Sequence, residues 1–167
     1  MRFHRSTAEL FIPDGMTPEK ALRRTTHMAI SAHQDDIEIM AVEPILSCFQ
    51  QPDLWFSAVV ISDGRGSPRD DLYRDYSDEE MRLVRFKEQK KAAIVGEYAA
   101  QVLLDYPSKA IKEPSDKRPV EDLLLLFNAM NPRFVYTHNL ADKHDTHVST
   151  ALRVVEALRQ LPAAHRP

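Results

Sequence analysis

Short apolar runs of β-type composition alternate with longer helical stretches along most of the chain, and this alternation constrains the fold more than any other feature. We expect strands at 27–32, 56–61, 102–104 and 134–137, followed in turn by helices at 37–50, 78–98, 120–130 and 148–161. The strand runs are almost continuously apolar, which is typical of strands buried on both faces of a parallel sheet. The pattern predicts an α/β fold: a Rossmann-like three-layer sandwich with a mostly parallel sheet and helices on both faces.

The length of 167 residues is typical of one domain. Residues 1–25 contain Pro13, Gly15 and Pro18 and show no sustained period. We therefore expect an irregular N-terminal arm over 1–25 and a single α/β domain over 26–167.

Charge and composition exclude several classes of partner. Lys and Arg together number 22 against 25 for Asp and Glu, and the net charge of -3 offers no broad positive surface for a nucleic acid. Every apolar stretch is too short to cross a bilayer and the N-terminus lacks an apolar export segment, so we expect no membrane span and a cytoplasmic location. Cys48 is the one cysteine, so a metal would have to be held by histidines and carboxylates.

Polar residues follow each of the four predicted strands. They occupy positions 32–36, 62–65, 105 and 138–147. In open parallel sheets, ligands bind at the carboxyl ends of the strands, where the following loops converge. The four segments are thus predicted to meet at one functional edge of the sheet.

His33 and Asp36 are three residues apart at a strand-to-helix turn, so one helical turn brings imidazole and carboxylate to one side. His147 opens the last predicted helix and can add a third ligand. Two histidines and one carboxylate with an open position are typical of a catalytic zinc site. The same three ligands also accommodate Fe²⁺ or Mn²⁺.

Two further side chains are candidates for the chemistry at this site. With Asp36 committed to the metal, Asp35 is free to take a proton from the attacking water. His144 can stabilise the oxyanion or protonate the leaving nitrogen. The alternative for the aspartate pair is that both carboxylates cap the next helix, and for His138 we favour packing at a strand end over metal binding.

The same residues resemble the signatures of the PIG-L and LmbE-like N-acetylglucosaminyl deacetylases, over about residues 28–161. The segment 32–36 is similar to the family's Ala-His-Pro-Asp-Asp, with Gln34 in place of proline, and 144–147 is similar to His-Pro-Asp-His, with the acid displaced by one position. The resemblance implies zinc ligands at His33, Asp36 and His147, a general base at Asp35, and an oxyanion-side residue at His144. Asp145 or Asp142 would then orient the ring of His144.

Weaker family elements occur in the same order. The turn 62–64 is similar to Thr-Asp-Gly, and Arg85 begins a match to Arg-x-x-Glu-x-x-x-Ala. The resemblance implies that Asp63, Arg85 and Asp105 bind substrate. Family members usually continue past the last helix, so a C-terminally truncated domain is expected, and a homo-oligomer could complete the sugar pocket.

The predicted function is zinc-dependent hydrolysis of an N-acetyl group on an N-acetylglucosamine-type amino sugar conjugate, with this small molecule as the partner. Two alternatives stay open: a metal-dependent hydrolase of another bond such as a phosphoester, and a non-catalytic α/β binding module.

Overall fold

A computed structural model describes all residues 1–167 and contains five strands and seven helices. In chain order the elements are β1 Glu9–Phe11, α1 Pro18–Arg23, β2 His27–Ser31, α2 Asp36–Met40, α3 Val42–Cys48, β3 Phe56–Ser62, α4 Asp78–Val95, β4 Ala100–Tyr106, α5 Ser108–Lys112, α6 Arg118–Met130, β5 Phe134–Thr137 and α7 Asp145–Gln160. Two short 3₁₀ turns lie at Asp71–Tyr73 and Ala163–His165. No helix combines the length and apolar character that crossing a membrane requires.

The five strands form one sheet in the order β1-β4-β3-β2-β5. All neighbouring pairs are parallel except β1 with β4. The chain moves outward from β2 through β3 to β4 and then returns to place β5 on the other side of β2. The carboxyl ends of β2 and β5 therefore flank the point where the strand order reverses, which is where open α/β sheets bind ligands.

The sheet is covered by helices on both faces. Alternate side chains of one strand enter different cores: Met28 and Ile30 of β2 pack with α6 and α7, whereas Ala29 packs with α2, α3 and α4. All five residues of β2 are buried because each face of the strand is covered. This arrangement confirms the predicted three-layer α/β fold, and it explains why the strand sequences are nearly continuous in apolar residues.

Local sequence signals account for the ends of the longer helices. Ser77 caps α4 in a reciprocal capping box with Glu80, which satisfies two backbone donors at that end. Helix α6 has Pro119 in its first turn, where a proline loses no helical hydrogen bond. Its C-cap residue, Asn131, adopts a left-handed conformation.

The irregular arm predicted over residues 1–25 is wrong in two stretches. Residues Glu9–Phe11 form an edge strand, antiparallel to β4, and Pro18–Arg23 form a helix that buries Ala21 and Leu22. Both elements are too short to establish a visible hydrophobic period in the sequence.

The single helix predicted over 37–50 is divided into α2 and α3 at Ala41. Pro44 explains the break, because a continuous helix would require a backbone N–H at position 44 and would drive the proline ring against the carbonyl of Met40.

Candidate metal centre

Two loops at the carboxyl edge of the sheet form a cluster of imidazoles and one carboxylate. The loop after β2 carries His33, and Asp36 is the first residue of α2. The loop after β5 and the start of α7 carry His138, His144 and His147. The cluster therefore joins segments more than one hundred residues apart, at the reversal point of the sheet.

Three donor atoms from His33, Asp36 and His147 form a nearly equilateral triangle. His33 Nδ1 lies 3.4 Å from Asp36 Oδ2 and 3.2 Å from His147 Nε2, and the last two atoms are 3.4 Å apart. Ligands about 2.1 Å from a tetrahedral zinc ion are about 3.4 Å from one another. The donor set and its spacing therefore fit one divalent ion.

Asp142 fixes the tautomer of His147. The Nδ1–H of His147 donates to Asp142 Oδ2 at 3.0 Å, so the lone pair of Nε2 faces Asp36 and His33. The backbone N–H of His144 donates to the other carboxylate oxygen of Asp142 at 2.8 Å. These two hydrogen bonds lower the pKa of Asp142 to about 2 and keep it an anionic acceptor. A carboxylate behind a histidine is the usual support of a metal-binding imidazole.

Asp36 is held in its ionised form by the surrounding histidines. Burial opposes ionisation, but the hydrogen bonds from His33 and the adjacent imidazoles outweigh it, so the pKa of Asp36 lies below its ordinary value. The backbone N–H of His33 donates to Oδ2 at 2.7 Å. The side chain of Asp35, the N-cap residue of α2, makes no capping hydrogen bond, so geometry does not support the helix-capping interpretation of the pair.

His138 lies beneath the triangle. Its ring stacks on that of His147 with centroids 4.0 Å apart, and its Nε2 accepts the N–H of Ala32 at 2.8 Å. Burial lowers the pKa of His138 to about 4, so the ring is neutral at physiological pH. The Nε2 of His138 also lies 3.5 Å from Asp36 Oδ2, so His138, Asp36 and His147 form a second candidate set of metal ligands. Because the lone pair of Nε2 already accepts the N–H of Ala32, we keep the interpretation of His138 as a packing residue beside His147.

Asp35 lies at the mouth of the cluster with its side chain 65% exposed. Arg85 reaches over from α4 and donates to Asp35 Oδ2 at 2.8 Å and to the carbonyl of Gln34 at 2.7 Å. Arg85 thus lines the cleft and orients the carboxylate of Asp35.

His144 is the N-cap residue of α7, and its ring stacks on His147 with centroids 4.5 Å apart. The N–H of Thr146 donates to His144 Nδ1 at 3.3 Å, so Nδ1 is the accepting nitrogen and Nε2 carries the ring proton. Asp145 Oδ1 is 3.7 Å from Nδ1, and Asp145 pairs instead with Lys112. A backbone amide, not the displaced acid, therefore orients this imidazole.

The predicted substrate residues Asp63 and Asp105 do not line the cleft. Asp105 is 1% exposed and forms a two-point ion pair with Arg82, at 2.7 and 2.9 Å. Asp63 is buried beside Arg65, whose Nε lies 2.6 Å from the carboxylate, and burial raises the pKa of Asp63. The structure brings together Asp35, Arg85 and the histidine cluster, but it places these two carboxylates in ion pairs behind the cleft wall.

The cleft in front of the triangle has a volume of about 510 Å³ and a polar lining. Its charged groups beside the cluster are paired: Asp35 with Arg85, and Asp145 with Lys112 at 3.0 Å. Gly64, Ser67 and Ser108 also line the cleft. Beside the donor cluster, the cleft wall thus presents polar groups and charges that are already paired.

Fold and site together define a three-layer α/β protein with a candidate metal centre at the carboxyl edge of its sheet. The family model of the PIG-L GlcNAc-PI de-N-acetylases matches residues 28–158. The chain therefore belongs to the PIG-L family, which confirms the resemblance found in the sequence. A search of curated proteins found no significant match.

Solved structures with the same fold include two deacetylases and a hydratase. The N,N'-diacetylchitobiose deacetylase from Pyrococcus horikoshii superposes with a TM-score of 0.70 at 21% identity, covering 83% of this chain and 52% of that one. The 4-carboxy-2-hydroxymuconate hydratase GalB from Pseudomonas putida has a TM-score of 0.68 at 20% identity, covering 81% and 56%. The A40926 pseudoaglycone deacetylase Dbv21 has a TM-score of 0.62 at 19% identity, covering 82% and 60%. The chain thus spans between about half and three-fifths of these structures.

Proposed function

We propose that the chain is a metal-dependent N-deacetylase that hydrolyses the N-acetyl group of an N-acetylglucosamine-type amino sugar conjugate. The donor triangle of His33, Asp36 and His147 carries the proposal, since it offers one divalent ion three ligands at a tetrahedral spacing. Membership of the PIG-L family and two deacetylases among the structural neighbours support the reaction type.

His33, Asp36 and His147 would hold the ion, with zinc as the first candidate and Fe²⁺ or Mn²⁺ as others. When bound, the ion supplies Lewis acidity, which polarises the amide carbonyl and makes water acidic enough to attack at neutral pH. The remaining work falls to side chains of the cleft.

Asp35 accepts the proton of the attacking water, because its carboxylate lines the cleft and is exposed toward it. The ion pair with Arg85 fixes the direction of that carboxylate without burying it. As the carbon–nitrogen bond breaks, Asp35 returns the proton to the leaving nitrogen, and the products are acetate and a free amine.

His144 donates from Nε2 to the carbonyl oxygen as negative charge develops there. The Thr146 N–H on Nδ1 fixes the required tautomer, and the ring lines the same cleft. Removing a comparable oxyanion donor slows turnover by about 10²- to 10³-fold.

The proposal is tested by acetate release from N-acetylglucosamine and N,N'-diacetylchitobiose with zinc-loaded protein. We expect activity in the wild type, a fall of about 10²- to 10⁴-fold in Asp35→Asn, and a fall of about 10²- to 10³-fold in His144→Ala with metal content unchanged. Lys117→Gln, at an exposed ion pair before α6, is the matched control and should retain full activity.

Three outcomes would contradict the proposal. Release of phosphate from a model phosphoester without release of acetate would favour the other hydrolase class. Purified protein that binds no metal would favour the non-catalytic module. A normal rate in His144→Ala would remove that side chain from the reaction.

A further inference from the structure

Asp35 occupies an unusual backbone conformation for the position that we assign to the general base. Its φ is 76° and its ψ is -25°, in the left-handed region that a non-glycine residue adopts only at a cost. Such a conformation persists when surrounding contacts over-determine it. The contact that meets this requirement comes from Gln89, on the buried face of α4.

The side-chain amide of Gln89 is fully engaged at three points. Its Oε1 accepts the N–H of Asp35 at 3.0 Å, while its Nε2 donates to Glu38 Oε1 at 3.0 Å and to Gln101 Oε1 at 3.1 Å. A flipped amide would set NH₂ against the N–H and an oxygen against two oxygens, so only one orientation satisfies the site. Gln89 is 1% exposed, and water cannot replace these partners.

The partners of Gln89 are themselves anchored. Gln101 lies on β4 and donates to the carbonyl of Val102 at 3.0 Å. Tyr98 donates its hydroxyl to the same Glu38 oxygen at 2.7 Å, but it lies outside the path that leads from Asp35 through Gln89 and Gln101 to the sheet. The amide of Asp35 is thereby connected to the sheet through the buried side chains of Gln89 and Gln101. Buried networks with every member satisfied hold their groups rigidly.

Arg85 and Gln89 are four residues apart on α4 and therefore share one face of the helix. Arg85 holds the carboxylate of Asp35, and Gln89 holds its backbone. One face of α4 thus contacts both the backbone N–H and the side-chain carboxylate of Asp35. We propose that Gln89 is a positioning residue, which locks the left-handed backbone of Asp35 and so aims its carboxylate at the metal-side cleft.

This inference rests on the proposed function, because it assumes that Asp35 is the base. The test is Gln89→Met, which keeps the volume and removes the acceptor. We expect kcat for acetate release to fall by about 10- to 100-fold, as for a misaligned catalytic group, with KM within about twofold. Metal content stays unchanged.

The matched control is Tyr98→Phe, which removes a buried hydrogen bond from the same network but none from Asp35. It should lower the melting temperature and leave kcat within about twofold of wild type. Amide hydrogen exchange gives a readout that does not depend on turnover: the Asp35 N–H should exchange at least about tenfold faster in Gln89→Met and at the wild-type rate in Tyr98→Phe.

Unchanged exchange at Asp35 in Gln89→Met, or faster exchange with a normal kcat, would overturn the positioning role. An equal fall of kcat in Tyr98→Phe would also overturn it, because the effect would then be general loosening of the fold. A wild type that releases no acetate contradicts the proposed function itself, and is distinguished from these outcomes before any variant is compared.

Discussion

Substitution of Asp105 by Asn separates a structural role of this carboxylate from the substrate contact that the family resemblance implies. The side chains of Asp105 and Arg82 are 1% and 8% exposed, and two short hydrogen bonds join them. Asn tolerates the positive φ of 62° at this position, so the change removes charge without adding backbone strain.

The expected cost follows from the buried partner that remains. Removing one member of a buried ion pair costs about 3–5 kcal/mol, because the other charge stays uncompensated. Arg82 keeps a contact with Glu79 at 2.8 Å, and the Asn oxygen still accepts one hydrogen bond, so we expect the lower end, about 3 kcal/mol. For a chain of this size, about 2–4 °C per kcal/mol gives a fall in melting temperature of about 6–12 °C.

Differential scanning calorimetry measures the fall in melting temperature of Asp105→Asn, and acetate-release kinetics on the same protein measure KM. Arg82→Met should destabilise to a similar extent, and the double variant should lose less than the sum of the two single losses, since the residues are coupled. A melting temperature within about 2 °C of wild type together with a tenfold rise in KM would refute the ion-pair role and restore Asp105 as a substrate contact.

Two further predictions concern stability. Gly64→Ala should lower the free energy of unfolding by about 1–3 kcal/mol in urea titrations, because φ is +70° and a Cβ there would overlap Gln34 Oε1; an unchanged midpoint would contradict the close approach. Burial raises the pKa of Asp122, which is 3.8 in the unfolded chain, so its contribution to stability is greatest at low pH and declines as pH rises through the folded value. Asp122→Asn, which can still accept from Tyr106, should therefore lose less stability than wild type between about pH 4 and about pH 7. The measurement is the free energy of unfolding from urea titrations across this pH range, and an equal decline in the two proteins would contradict the prediction.

Much of the fold could be predicted because strands that are buried on both faces appear in the sequence as nearly continuous apolar runs. The strand predicted at 134–137 has the observed bounds, since an apolar run between Pro132 and a polar loop has few alternatives. The edge strand Glu9–Phe11 has three half-buried residues and depends on pairing with β4, a tertiary contact that no local period records.

Part of the candidate site could also be predicted, namely the positions of its three candidate metal ligands. Motif spacing placed His33, Asp36 and His147 at one sheet edge, and the structure brings their donor atoms within 3.4 Å of one another. The contacts that hold the side chains around the site could not be predicted from the sequence. Gln89 accepts a hydrogen bond from Asp35, 54 positions away in the sequence, and Arg82 forms an ion pair with Asp105, 23 positions away. These contacts follow from the packing of helix α4 and not from spacing in the sequence.

The most direct test of the metal centre is the metal content of the purified protein, measured by inductively coupled plasma mass spectrometry. The wild type and His147→Ala are compared after dialysis with zinc and removal of free ion. We expect about one ion per wild-type chain and an affinity for zinc at least about tenfold lower in His147→Ala, since one of the three ligands of the triangle is removed. A wild type without bound metal, or a variant that retains it at full occupancy, would contradict a metal centre assembled from the two loops.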